Sequence, residues 1–542
     1  MTNPQKINNA SEELDVTLHS MSTKPNLKGD RPNLFLLILL YIMQGIPFGF
    51  SISALPIILQ SKKVVTYGEQ ALLSYALWPY SLKLLWAPLV DVHYVQWIGK
   101  RKSWLLPVQY LMGVFLIYTA NNINDWIPET GKPNILILTC VFFVLNLLAS
   151  TQNIVVDSWA LTMLKKANVG YSSVCSSSGF AIGIMIGSVI PVLLTSEDFC
   201  NKHLRLTPGM GGIMTLERLF FICGILFILV ATLIGIFKKE KDIKLEDNYA
   251  QPCVTNSYKL LWDIIKLPNL RVLLIALLTM KVGFSAMRNS LVYLKLVEVG
   301  IPKDDIMVLT TAMFAVKILT PFAVSKYTSG PKPMSVCLKS MPIKLIWSFT
   351  YIAFIYFTPM IIYRNGVLNV PVYYYLVLGF LNAVSEALSY IMLVAITAFF
   401  SRISDYRFGG IYMTLLNTVS NFGMTYSSSI GLKFIDFLTF KKCSNDSDNN
   451  CSTADLKNTC NTNGGNCLIT VDGYYVEIII CVVIGFIWYG MFKNMFKNFQ
   501  TKSSSYWMVY VDRRSEESVK IDVEPCSKNV IQSDHSVTLT NK

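Results

Sequence analysis

Residues 81–104 read SLKLLWAPLVDVHYVQWIGKRKSW. The stretch begins as an apolar helix that holds Lys83 among Leu, Trp and Val. It stops at Asp91 and runs into Gly99, Lys100, Arg101 and Lys102. A lysine among apolar residues needs a partner, a ligand or a route to water. A carboxylate followed by a basic block marks the end of a membrane span, where cations on the cytosolic side fix orientation.

The whole chain fits that reading. Of its 542 residues, 52% are hydrophobic and 15% charged, and the mean hydropathy is +0.44. This composition does not describe a soluble enzyme with one compact core. A window of about 20 apolar residues spans the hydrocarbon of a bilayer. Read with it, the sequence predicts twelve spans at 34–59, 70–91, 104–120, 134–162, 170–195, 217–237, 268–292, 305–325, 343–363, 371–399, 408–432 and 472–493. Residues 1–33 are polar, lack the apolar core of a cleavable signal and read as a disordered cytosolic tail; residues 495–542 read as a second one.

Lys and Arg concentrate in alternate connections. The side that holds both termini carries Lys100, Arg101, Lys102, Lys165, Lys166, the run after Phe237, Lys326, Lys332, Lys339, Lys344, Arg402 and Arg407. Its count is about twice that of the other side, which predicts cytosolic termini. The net charge of +13 then reflects anchoring beside anionic lipid, with no nucleic-acid partner. Cys443, Cys451, Cys460 and Cys467 crowd the polar loop 433–471 on the far side, beside the sequons at Asn445 and Asn450. Their spacing lacks the short pairs of a zinc site and suits two disulfides and glycans in a lumen. Pairing stays open, and Cys200 would be left over.

A break after Phe237 separates six spans (34–237) from six more (268–494) through a cytosolic linker, 238–267, with an interfacial helix. The halves echo one another. Pro88 to Asp91 closes span 2 as Pro321 to Ser325 closes span 8; Gly170-Tyr171 opens span 5 as Gly410-Ile411-Tyr412 opens span 11. Two matches at the same offset predict an all-α membrane protein of two pseudo-symmetric six-helix bundles, the major facilitator plan.

Catalysis is nearly excluded. The four histidines, His19, His93, His203 and His535, fall in tails or loops, and no nucleotide-binding glycine loop follows a strand. No catalytic residue, metal or cofactor is expected. Ionisable residues inside spans carry the positive signal, because charge at the bilayer centre is costly and tends to be functional. Lys281 lies about 20 Å inside span 7 at 1.5 Å per residue, with Arg288 about two turns on; Lys317 is central in span 8, and Lys83 lies about 12 Å inside span 2. Glu386 is the carboxylate at comparable depth, and pairing with Lys317 or Lys281 is one reading of it. Snorkelling is the alternative for Lys83, and the luminal interface for Arg288. Gln44, Asn153 and Asn382 belong to spans that line the cavity of this architecture, where interhelical hydrogen bonding is the rival role. An excess of cations suits an anion with several phosphates. Asp91, Arg101 and Asp157 are expected to form a cytosolic charge network that locks one conformation, a substrate contact being the alternative for Asp157.

QGIPFGF (44–50), LPIILQ (55–60), WPYSLKLLWAPLVD (78–91), GKRKSW (99–104), DSWALTML (157–164), DFCNK (198–202), YMTLLNTVSN (412–421) and DGYYVE (472–477) together resemble the eukaryotic acetyl-coenzyme A transporters of the endoplasmic reticulum. The matches run from the first span to the last. The resemblance implies a multi-pass protein of that membrane that moves acetyl-CoA into the lumen for luminal acetyltransferases; exchange for CoA against uniport, and monomer against homodimer, stay open. A facilitator for another phosphorylated anion and a membrane-embedded acyltransferase are the rival functions. Trp78, Trp86, Trp159 and Tyr390 are candidates to stack on adenine, with packing in the membrane as the rival role of each. Asp91 and Gly99 stand farther apart than in the facilitator signature, which leaves the charge partners open.

Overall fold

The computed structural model describes residues 27–507 except 62–71, 241–253, 451–459, 463–466 and the short gaps 96, 129–130, 208, 287–288, 365–366, 406–407, 445, 461 and 503. The expected tails at 1–26 and 508–542, and Arg288, Asn445 and Cys451, lie outside the described residues. For Cys467 and Asn450 only the backbone strand is described.

Nine uninterrupted helices are long and apolar enough to cross a membrane among the described residues. Three further spans are broken or more polar. Span 2 runs as Leu73–Leu77, Trp78–Leu82, Lys83–Leu85 and Ala87–Val92. Pro79 and Pro88 sit in the first turns of two of these pieces, where a missing N–H costs nothing and the preceding turn is forced to end. Span 7 runs as Pro268–Met280, then Val282–Phe284, then Asn289–Val299. Span 11 is Gly409–Leu438.

Span 1 shows how the apolar runs are tuned. Arg31–Gly49 passes into a π-helical turn, Phe50–Ala54, just after Pro47. The proline removes one rung of the ladder, and the Ser51 hydroxyl donates to the Pro47 carbonyl at 2.8 Å. Span 5, Tyr171–Thr195, lies directly against span 1. A Cβ on Gly183 would meet the Ile42 carbonyl oxygen at 2.2 Å, and one on Gly187 the Ile46 carbonyl at 2.1 Å. These glycines therefore let two backbones touch, as lipid-embedded interfaces favour.

Spans 1–6 and 7–12 form the two halves, joined by the 238–267 connection, where Val254–Lys266 is a helix that exposes Tyr258 and Trp262. The face that holds this connection is called the linker face. The opposite, hairpin face carries a three-stranded sheet in which Phe440–Cys443 pairs with Asp446–Asn450 and Cys467–Val471. Cys443 and Cys460 are joined by a disulfide there, with Cα atoms 5.9 Å apart. Cys200 is a buried free thiol.

Two expectations need correction. Span 9 begins at Met334, behind Pro331 and Pro333, and not near 343. Lys344, read as part of a cytosolic connection, therefore lies about 15 Å inside the helix by the 1.5 Å rise. Span 12 continues to Phe499, and the chain folds back so that Trp507 is buried against Phe399 and Phe499, its carbonyl accepting the Tyr412 hydroxyl at 2.5 Å. The polar tail thus starts later than 495.

Candidate functional site

On the linker face the halves interlock. Arg101 Nη1 meets Asp91 Oδ1 at 2.5 Å, and both side chains are buried. The second oxygen, Asp91 Oδ2, accepts the Ile411 N–H of span 11 at 2.8 Å. A Cβ on Gly410 would meet that carboxylate at 2.7 Å, so only a bare Cα lets the helix start reach it. Glu240 accepts the N–H groups of Arg101 and Lys102, and Gly99 turns the chain there with φ +104°. Burial pushes the Lys100 ammonium down to about 8; Arg101 adds to the shift, and Asp91, Glu240 and Asp405 oppose it. The pseudo-symmetric contact is made at the start of span 5, where a Cβ on Gly170 would meet Ser329 Cα at 2.8 Å. Ser172 and Ser401 share a hydrogen bond at 2.9 Å, and Ser178 Oγ donates to the Ile318 carbonyl at 3.1 Å. The halves are therefore closed against each other on this face.

Asp157 does not join the Asp91–Arg101 pair. Depth along a helix can be counted from sequence, but the direction of the side chain cannot, and Asp157 points to the interior. Its Oδ1 accepts the Tyr41 hydroxyl at 2.7 Å, and its Oδ2 accepts Asn417 Nδ2 of the other half at 3.2 Å. One turn along, Asn153 Oδ1 accepts Lys83 Nζ at 2.5 Å while Asn153 Nδ2 donates to Gln44 Oε1 at 3.3 Å. Tyr80 donates to the Gln44 carbonyl at 3.4 Å. The structure thus brings Gln44, Lys83, Asn153 and Asp157 into one polar cluster. Lys83 is 4% exposed and bonded inward, which argues against snorkelling.

A second cluster occupies the other half. Lys317 Nζ lies 3.5 Å from Glu386 Oε1. Lys344 Nζ donates to Ser389 Oγ at 2.5 Å and lies 5.1 Å from the centre of the Phe284 ring. Lys281 sits at the break of span 7, within electrostatic reach of Lys344, and Lys344 also feels Glu386. Tyr351 donates to Asn382 Oδ1 at 3.1 Å, and the Asn382 amide nitrogen has no partner among the described residues. Sequence reading missed Lys344; the signal available was that three lysines and three prolines between 331 and 344 hid a helix start. Of the aromatic candidates, Trp159 is 2% exposed and packed in the core, so it presents no face to a ligand here. Trp86 donates to Thr151 Oγ1 at 3.2 Å, and Trp78 is half exposed.

Among the described residues the two clusters thus hold four ammonium groups, Lys83, Lys281, Lys317 and Lys344, against two carboxylates, Asp157 and Glu386. Such a surplus calls for an anionic guest, since an unpaired buried cation is costly.

Comparison with known proteins agrees with the architecture. A solved structure of the major facilitator transporter FucP in an outward conformation superposes with a TM-score of 0.51 at 12% identity, covering 87% of this chain and 99% of that one. An uncharacterised protein of Schizosaccharomyces pombe is 31% identical over 479 residues, 88% of each chain. An uncharacterised membrane protein of Saccharomyces cerevisiae is 28% identical over 89% of this chain and 98% of its own. A putative AmpG transporter of Rickettsia typhi is 29% identical over 28% of this chain and 36% of its own length. The family model for acetyl-coenzyme A transporter 1 matches residues 33–253 and 242–509. This end-to-end match places the chain in the acetyl-coenzyme A transporter family, as a membrane transporter with the fold of major facilitator structures.

Proposed function

We propose that the chain carries acetyl-CoA from the cytosol into the lumen of the endoplasmic reticulum by rocking its two halves about the central clusters. The observation that carries this reading is the surplus of ammonium groups in the two clusters, four lysines to two carboxylates among the described residues. Acetyl-CoA brings a diphosphate and a 3′-phosphate, about four negative charges that several lysines can hold by charge-assisted hydrogen bonds. Lys281, Lys317 and Lys344 are assigned to the phosphates, with Arg288 and Lys83 on the path and Gln44, Asn153, Asn382 and Glu386 lining it. A phosphate arriving at Lys317 competes with Glu386 for the same ammonium. Asp91 and Arg101 hold the linker face closed, and Asp157 contributes through Asn417. On this reading the linker face and both termini are cytosolic. The hairpin face is luminal, which accounts for the Cys443–Cys460 bridge and the sequons at Asn445 and Asn450.

The test is uptake of labelled acetyl-CoA into proteoliposomes of the purified chain, with and without CoA inside. Saturable uptake is expected, faster over internal CoA if transport is exchange. Absence of uptake would overturn the reading. Competition by ATP or a sugar nucleotide that matches unlabelled acetyl-CoA would favour the second reading, a carrier for other phosphorylated anions, which the same lysines support.

A further inference from the structure

Glu477 stands in the first turns of span 12, Gly473–Phe499, and takes no part in either cluster. It is 2% exposed, and its Oε2 has no hydrogen-bond partner among the described residues. The carboxyl lies over the bare Cα of Gly431 in span 11: a Cβ there would meet Glu477 Oε1 at 2.7 Å and Ser285 Cβ of span 7 at 3.3 Å. Span 12 itself adds Tyr474, whose buried hydroxyl is also unpartnered, and Cys481, which shares a hydrogen bond of 3.1 Å with Ser285 Oγ. Span 9 adds Tyr351, near Tyr474. Among the described residues, no cation from spans 7, 9, 11 or 12 meets the carboxyl.

A buried carboxylate with neither cation nor donor is too costly to keep; such a group carries a proton instead. We propose that Glu477 is a proton-binding site whose occupancy favours the linker-face-closed conformation. Loss of the proton leaves a bare charge beneath Gly431 and Ser285, so it requires spans 7, 11 and 12 to part and admit water or a cation. Span 11 carries the signal. The same helix that covers Glu477 through Gly431 presents Ile411 and Asn417 to Asp91 and Asp157 at its other end. Span 7 links it to the lysine cluster, since Lys281 lies one turn before Ser285. The inference needs only that the chain is a transporter of alternating conformations and not that acetyl-CoA is its cargo.

The test uses cross-linking across the closed face in the full chain in liposomes. Ser172 and Ser401 touch at 2.9 Å, so a Ser172→Cys/Ser401→Cys pair reports closure. Cross-link yield is compared with and without Glu477→Gln, which mimics the protonated group and cancels the ordinary pH dependence of thiol oxidation. The pH is varied below the range in which Lys100 titrates. Yield with Glu477 intact, relative to the Gln variant, should fall as pH rises, by at most about tenfold per unit for one linked proton. A ratio that stays constant overturns the proposal. Adding Arg288→Gln should leave the ratio's pH dependence in place; its loss would mean that an ion pair fills the site and would equally overturn it. Failure of acetyl-CoA uptake with an intact pH dependence would count against the cargo alone.

Discussion

At the residue scale, Lys344 and Lys317 are each held by something that a phosphate can replace. Lys344 rests on one hydroxyl, Ser389 Oγ, and on the face of Phe284. Lys317 rests on Glu386 at 3.5 Å, a loose pair. Removing a charged partner of a substrate phosphate costs roughly 1.5–3 kcal/mol, about ten- to a hundredfold in affinity. Lys344→Ala and Lys281→Ala should therefore raise the KM for acetyl-CoA by that factor with expression intact, and Lys344→Arg should recover part of the loss. Unchanged kinetics in radiolabel uptake would remove the residue from the path. Glu386→Gln is expected to act in the opposite sense at first contact, lowering KM because Lys317 is no longer shared, which the same assay reads.

The residue scale also shows where sequence was a sufficient guide. Lys281, Lys317 and Glu386 stood out because each interrupts an apolar run, and depth follows from the 1.5 Å rise. Lys344 did not, because its neighbours Lys339 and Pro342 resemble a loop until the helix start at Met334 is known. Asp157 was placed at the right depth but in the wrong network, because counting residues gives no azimuth.

At the element scale, local chemistry decided more than propensity. The prolines at 79 and 88 are visible in the sequence as the reason that span 2 is built from short pieces, yet the twenty-residue window reads through them. The breaking of span 7 after Met280 is less legible. It falls beside Gly283, where a Cβ would meet Gly485 Cα of span 12 at 2.7 Å, a tertiary contact. The span 1–span 5 seam was not legible, because the small residues of span 5 do not name the helix they meet, but its energetics can be tested. Gly183→Leu forces side-chain atoms into the Ile42 carbonyl, where even a Cβ stands 2.2 Å away. Overpacking of this kind costs at least about 1–3 kcal/mol. The variant should melt several degrees below the wild type or fail to accumulate, whereas Gly490→Leu, with nothing within 4 Å of its Cβ position, should melt as wild type. Equal melting of the two in detergent would deny that backbone contact holds the seam.

At the scale of the whole molecule, the echo between halves turns out to be a statement about closure. Gly170 at the start of span 5 meets Ser329 at the end of span 8, and Gly410 at the start of span 11 meets Asp91 at the end of span 2. Sequence alone showed the repeat but not that its members touch across the midline, since contacts between halves have no local signature. The two contacts are chemically unequal: one is backbone on backbone, the other a carboxylate on a helix N-terminus, reinforced by Arg101. The Asp91 side should therefore dominate the stability of the closed face. Asp91→Asn keeps an acceptor for the Ile411 N–H but leaves Arg101, 1% exposed, without its counter-charge. Breaking a buried pair by removing one partner costs about 3–5 kcal/mol in the state that buries it. That is enough to shift a two-state population by roughly two orders of magnitude or more. The expected result is a strong fall in Ser172→Cys/Ser401→Cys cross-linking and a lower rate of uptake with little change in thermal stability, because each half keeps its own packing. Gly410→Val should give the same pair of effects by steric means. If Asp91→Asn cross-links as efficiently as the wild type, the ion pair stabilises one half internally and the closure rests on the serine and glycine contacts instead.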